Sequence, residues 1–433
     1  MLNLGWCAMK RSMSLLGCVM ILWTRNEVVR AETMNTVPLS VAHAEQLMRE
    51  NWPAMRAARY ALDGASADLI TASEAPNPQL SINSSAINYH AGVGSGALWN
   101  KQVDSVVRID QQLERGSKRV LREKVARAAE RAAAADYDDT LRNSKLALYQ
   151  TYYELKYAQE AEDIARKLFE LQQESLRTAR LRLKSGDVAS VDVARLEIEV
   201  SRAQGDLSTV QTARHVAQIA LRQLLGETEK DSVLLASDEW PPLVTVHPDD
   251  VTTDQRPDVR AATARNEQAA ANIELARAQQ KRDVTIGVQF EHYPQGGSSP
   301  NSVGAGFSIP LFIRHHYQGE LQRAAADHHI AEETLRATQL AAATEQAQVT
   351  AERIGARERL LQFQNSIVDK ATSTAQAAEY AYSRGALNLT DLLDARRAMQ
   401  SVLSDALSAR LEYAKALMAW RTATELNVGT YAN

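Results

Sequence analysis

The chain has 433 residues, of which 45% are hydrophobic, only 6% aromatic and 24% charged, with 11 prolines and a formal net charge of −4. That mixture favours long packed helices over a compact α/β enzyme, and the acidic balance gives no support to nucleic-acid binding. Both cysteines, Cys7 and Cys18, fall within the first 20 residues, so the rest of the chain holds neither disulfide nor Cys-ligated metal.

The chain opens with the pattern of a secretory signal. Lys10 and Arg11 precede an apolar stretch from Met13 to Trp23, and Val29-Arg30-Ala31 offers small residues where a signal peptidase reads. Leu15-Leu16-Gly17-Cys18 resembles a lipoprotein box. However, the apolar run continues past Cys18 and only six residues separate it from Arg11, which favours a cleaved signal over residues 1–31. Cleavage removes four basic residues and one acidic residue, moving the formal charge from −4 to −7. No later stretch has 18 consecutive apolar residues, so any membrane crossing must be made by strands.

A first repeat is expected over 32–240. Asn51-Trp52-Pro53 opens an Ala-rich helix, and a strand pair follows at about 79–113, with Leu80, Ile82, Val103, Val107 and Ile109 in alternation around a loop holding Gly92, Gly94 and Gly96. Between Gly116 and Gly186 lie 69 residues without Gly or Pro. At about 1.5 Å per residue that is a helical run on the order of 100 Å. The run turns at 186–192, and Val193, Leu196, Val200, Ala203, Leu207, Val210, Arg214, Ala217 and Leu221 then recur at coiled-coil spacing.

Residues 241–256, which begin at Pro241-Pro242, read as an inter-repeat linker in an equatorial region. A second repeat, 257–433, restates the first. Gln255-Arg-Pro257 parallels Asn51-Trp-Pro53. A strand pair is expected at about 283–310, where Val284, Ile286, Val288, Phe290 and His292 alternate with small or polar residues and Val303, Ala305, Phe307 and Ile309 do the same. From Glu320 to Arg384 only Gly355 interrupts the helical pattern, and a turn falls at 385–391. Beyond it Leu392, Ala395, Met399, Val402, Ala406, Ala409, Tyr413, Ala416 and Trp420 form a second stripe.

Gly186 and Gly385 each stand six residues before an acid, Asp192 and Asp391. The glycines suit a left-handed helix end, and the acids suit the first turn of the helix that follows. Four strands cannot close a membrane barrel, whose smallest bacterial examples need about eight. Several copies must therefore pool their strands, and three copies would give twelve. Tyr89, Trp99, Tyr293 and Tyr317 are candidates for an interfacial aromatic belt.

The doubled helix–hairpin–helix order, the Pro53 and Pro257 helix openings and the paired Gly-x5-Asp turns resemble the TolC-type outer-membrane efflux family over roughly residues 38–425. Leu113-Glu-Arg-Gly116-Ser-Lys118-Arg119 and Ile309-Pro310-Leu-Phe-Ile-Arg314 are similar to its cobalt-zinc-cadmium resistance (CzcC-like) branch. The resemblance implies a mainly α protein with a transmembrane β-barrel portion: a homotrimer with a 12-strand barrel in the outer membrane and a long α-helical coiled-coil barrel in the periplasm. It implies a passive channel and no enzyme. The partners would be a periplasmic adaptor (membrane fusion) protein, an inner-membrane RND transporter and outer-membrane lipid. The expected cargo is divalent metal (cobalt, nickel, zinc or cadmium), with a drug-efflux duct or an adaptor protein as alternatives. On the family pattern Asp391 and Asp394 line the channel constriction, while Tyr382 and Asp192 form the gate latch. A second arginine–threonine latch has no counterpart, because Leu387 and Val191 stand there. No cofactor is expected. His328 and His329 with Glu332 and Glu333 have ligand-like spacing, but doublets on polar helix faces are usually solvated, so no resident metal is expected.

Overall fold

The computed structural model describes residues 36–87, 89–90, 92–97, 100–227, 232–244, 253–294 and 300–424. The signal expected over 1–31, Trp99 and half of the 241–256 linker (residues 245–252) lie outside the described residues.

Helix accounts for 72% of the structure, so the mainly α class holds. The chain enters through β1 (Thr36–Leu39), α1 (Val41–Asn51) and α2 (Pro53–Ser73). Pro53 sits at the start of α2, where its missing N–H costs nothing, and Trp52 before it is extended (ψ 122°). The hairpin β2 (Gln79–Ser85) and β3 (Asp104–Leu113) leads into α3, 68 residues from Lys118 to Ser185. α4 (Ser190–Leu224) returns alongside α3, and β4 (Val233–Ala236) pairs in parallel with β1. The second half runs α5 (Pro257–Gln279), β5 (Val284–His292), β6 (Asn301–Ser308), α6 (Gln318–Gln362), α7 (Val368–Ser383) and α8 (Leu389–Thr424).

Two features depart from the expected layout. The second long helix is interrupted at Phe363–Ile367, a π-helical turn with Ser366 off helical geometry, while Gly355 lies inside α6. π-bulges carry no Gly or Pro signature, so helix breakers alone could not reveal this one. The β1–β4 ribbon was also unforeseen, because four residues per strand are too few to display a period.

α3 is the axial element and packs against α2, α5, α4 and α8 in turn. All nine residues of each expected stripe on α4 and α8 are buried or half-buried. The exception to apolarity, Arg214, donates to Glu162 of α3 at 2.8 Å, and Glu162 also binds Arg166. Burial opposes ionisation of Glu162, but its two arginine partners outweigh that and hold it below the usual carboxylate range.

The main core sits midway along α3, where Leu141, Leu148, Tyr152 and Leu155 meet α1, the β1–β4 ribbon and the end of α8 (Tyr413, Leu417). Tyr152 donates to Leu39 O (2.9 Å) and accepts from Asp238 N (3.0 Å), and Trp240 stacks on Tyr153 at 5.8 Å. Where α5 starts, the buried Arg256 binds Asp258 and Glu345, and the buried Arg142 binds Asp139 and Glu345. Burial works against the Asp258 carboxylate, yet Arg256 and Arg142 keep it below its ordinary range.

The four larger strands form one antiparallel sheet in the order β2-β3-β5-β6. Its register sorts side chains by chemistry. Leu80, Ile82, Val107, Ile109, Ile286, Val288, Phe290, Val303 and Phe307 share one face, and all of them are exposed. The opposite face carries Ser81, Asn83, Arg108, Asp110, Gln289 and Glu291. There Arg108 binds Asp110 and Gln289 (2.7 Å) while lying across β5, and a Cβ at Gly287 would collide with both charged groups. Under the sheet Asp283 ties the β3 end to the start of α3, accepting from Arg115 N (2.9 Å) and the buried Lys118 (2.8 Å).

Candidate gate at the helical tip

The far ends of the two helical hairpins meet in a small apolar cluster of Leu176, Ala179, Val193, Leu196, Leu389, Leu392 and Leu393. Both turns close the same way. Gly186 (φ 82°) donates to Leu183 O (3.1 Å) and Asp187 N to Arg182 O (2.9 Å). Gly385 (φ 73°) donates to Tyr382 O (3.0 Å) and Ala386 N to Ala381 O (2.9 Å). These bonds satisfy carbonyls that the ended helices leave open. Space would admit a Cβ at either glycine, so the positive φ is what demands glycine.

Asp192 and Asp391 both fall in the first turn of a helix, as expected. Their partners differ. Asn388 caps α8, accepting from Asp391 N (2.9 Å) and donating its Nδ2 to the Asp391 carboxylate (2.8 Å). At the equivalent place before α4 stands Ala189, which has no side-chain cap to give. Asp192 is half-buried and has Arg195 at 3.9 Å. Asp394 is exposed and pairs with Arg397 at 3.3 Å, and Arg397 reaches Glu199 of α4 at 2.5 Å. The Glu199 carboxylate raises the Arg397 guanidinium further above its ordinary value.

Tyr382 packs against the tip cluster, with the Arg182 guanidinium 6.0 Å from its ring centre. Within the single chain it shares no described hydrogen bond with Asp192. Leu387 also packs on the cluster, whereas Val191 is exposed.

Besides Arg397, further arginines do cross-linking that the sequence reading missed. Arg396 of α8 is buried and donates to Glu379 of α7 (3.1 Å) and to Gln172 (3.2 Å) and Ser175 (3.0 Å) of α3. Arg195 of α4 approaches Thr390 of α8 at 3.4 Å, and Arg182 approaches Ser383 O at 3.5 Å. Arg396 lies beside the Ala395 seam position. A charged residue at the margin of a seam was the available signal, though it names no partner.

The whole architecture can be set beside known proteins. A family model described as outer membrane efflux protein matches residues 45–227 and 251–424. The chain belongs to that family. Its members are transport channels, not enzymes. The chain is 28% identical over 227 residues to the pyoverdine export outer membrane protein OpmQ of Pseudomonas putida, covering 50% of this chain and 48% of that one. It thus spans about half the length of that relative. It is 27% identical over 322 residues to the nickel-cobalt-cadmium resistance protein NccC of Alcaligenes xylosoxydans xylosoxydans, covering 73% of this chain and 70% of NccC. It is 21% identical over 308 residues to the cobalt-zinc-cadmium resistance protein CzcC of Cupriavidus metallidurans, covering 68% and 71%. A crystal structure of CusC superposes with a TM-score of 0.73 at 18% identity, covering 89% of this chain and 91% of that one, which establishes a shared fold.

Proposed function

We propose that this protein is the outer-membrane exit duct of a three-part efflux pump and that its cargo is divalent metal cations. One observation carries the duct reading: a four-stranded sheet with one exposed apolar face and one polar face, mounted on helices of about 100 Å. An apolar face of that extent suits lipid, and a polar face suits a water-filled lumen. β2 and β6 are both open edges, and the β6 of one copy would run antiparallel to the β2 of the next. Three copies then close a twelve-stranded barrel and leave no unpaired backbone in lipid. The helical hairpins would form a periplasmic tube that meets an adaptor protein and, through it, an inner-membrane RND transporter. The two repeats, 32–240 and 257–433, contribute equivalent hairpins. At the tip, Asp391 and Asp394 would set six carboxylates around a threefold axis and favour cations, and Tyr382 and Asp192 would form the latch.

The likeness to NccC and CzcC over about 70% of their length supports metal cargo. The likeness to OpmQ favours a second reading, an organic chelate or small molecule. A deletion strain challenged with cobalt, nickel, zinc and cadmium and with a panel of organic toxins separates the two. Sensitivity to the metals alone supports the first reading, and sensitivity to the organic compounds alone refutes it. Recovery of heat-resistant trimers from the outer-membrane fraction tests the duct itself. A soluble or inner-membrane species would instead fit an adaptor protein.

A further inference from the structure

The histidine doublet on α6 was read from sequence as solvated, and the folded helix changes that reading. His328 and Glu332 are one turn apart, and His329 reaches the same carboxylate from the adjoining position. His329 Nδ1 lies 3.0 Å from one Glu332 oxygen and His328 Nδ1 3.9 Å from the other. One ligand atom from each residue falls within 4.8 Å of the other two. The rings are 6.1 Å apart and tilted by 57°, so they converge on the carboxylate and do not stack.

We propose that His328, His329 and Glu332 form a divalent transition-metal site on the wall of the helical tube. Two imidazoles and one carboxylate are borderline ligands that suit zinc, cobalt or nickel and disfavour calcium and magnesium. Metal–ligand bonds of about 2.1 Å in a tetrahedral set put ligand atoms roughly 3.4 Å apart. The two imidazole-to-carboxylate separations, 3.0 and 3.9 Å, lie on either side of that spacing. All three groups come from one helix, so water must fill the remaining positions. That makes an exchangeable site, in contrast to a closed structural site with four protein ligands.

The site stands on this geometry alone; its use as a stopping point for cargo rests on the metal-efflux reading. An exit duct gains from a weak site, since conduction requires binding favourable enough to enter and weak enough to leave.

The test is calorimetric titration of the purified full-length protein with zinc, cobalt and nickel, and with magnesium as control. Visible absorption of the cobalt form reports the ligands. We expect one transition-metal ion per chain and no magnesium uptake. Loss of even an outer-shell partner costs about 10- to 100-fold, so His328→Ala and Glu332→Gln should each weaken binding by at least tenfold. The pair His315 and Glu320, joined at 2.9 Å, offers only two ligands, so His315→Ala should leave the affinity unchanged. No saturable binding, or binding that survives the double variant His328→Ala/Glu332→Gln in protein of unchanged oligomeric state, would overturn the site. Neither result depends on which toxins the deletion strain resists, so failure of the site and failure of the metal-cargo reading are separately visible.

Discussion

Arg396 offers the sharpest test of how the tip is held. Its guanidinium is buried at 5% exposure and fastens α8 to α7 through Glu379 and to α3 through Gln172 and Ser175. Arg396→Ala removes three charge-assisted hydrogen bonds and leaves Glu379 without its partner. Breaking a fully buried pair costs about 3–5 kcal/mol. The Glu379 side chain is 33% exposed, so water recovers part of that, and about 2–3 kcal/mol of tip closure is a fair expectation. At 1.4 kcal/mol per tenfold, the open population rises by roughly 30- to 140-fold. Single-channel recording in planar bilayers should show a higher resting conductance. Hydrogen exchange should accelerate over 368–383 and stay unchanged over 41–55, which packs in the distant main core. Arg396→Lys, which keeps the charge and loses the fork, should fall between the two. Wild-type conductance and wild-type exchange in Arg396→Ala would refute the clamp.

The remaining expectations concern the latch, the turns, the sheet and acid. Asp192→Ala and Tyr382→Phe should each raise resting conductance in the same bilayers; no change in either removes the latch. Gly385→Ala forces a Cβ into a left-handed conformation at a cost of about 1–2 kcal/mol, while Gly355→Ala, inside α6 with open space around it, should stabilise by roughly 0.5–1 kcal/mol. Thermal midpoints moving in the same direction would contradict the turn geometry. Val288→Arg on the apolar face should cost about 2–4 kcal/mol in a bilayer and lower the yield of assembled trimer, whereas Gln289→Arg on the polar face should assemble; equal yields would undo the face assignment. Glu162 and Asp258 are both held below the ordinary carboxylate value of about 4. Their contribution is complete above that value and disappears as pH falls through their folded values. The thermal midpoint should thus be flat from pH 7 to 5 and drop below about pH 4, and less steeply in Arg214→Ala.

Much of the fold was legible because long helices advertise themselves by what they lack. The 69 residues between Gly116 and Gly186 became a 68-residue helix, and the period-2 alternation at Val284–His292 became a strand with every apolar residue on one face. The π-turn at Phe363–Ile367 was not legible, since no glycine or proline marks it. At the tip, the glycines and first-turn acids could be read from local rules of chain conformation. Arg396, Arg195 and Arg182 could not be read, because their partners lie on helices distant in sequence and only the assembled bundle brings them together.

The two turns share a backbone solution but leave their acids in different circumstances, which bears on which hairpin moves. Asn388 engages Asp391 on both sides of an exchange of hydrogen bonds, fixing that carboxylate to its own helix end. Ala189 offers nothing equivalent, so Asp192, half-buried, has only Arg195 at 3.9 Å among its described side-chain contacts. A carboxylate in that position is better placed to accept a tyrosine hydroxyl than one already committed. The helical interruption at Phe363–Ile367 occurs in the second arm, starting at the main core where Phe363 packs, whereas α3 runs unbroken. If Tyr382 and Asp192 form the proposed latch, bending at the π-turn would let the α7–α8 hairpin carry Tyr382 while α3–α4 stays fixed. Ser366 sits at φ 177°, a backbone that the proline ring (φ about −65°) cannot adopt, so Ser366→Pro would distort the arm at this point and change the opening kinetics. Unaltered opening kinetics would shift the moving part elsewhere.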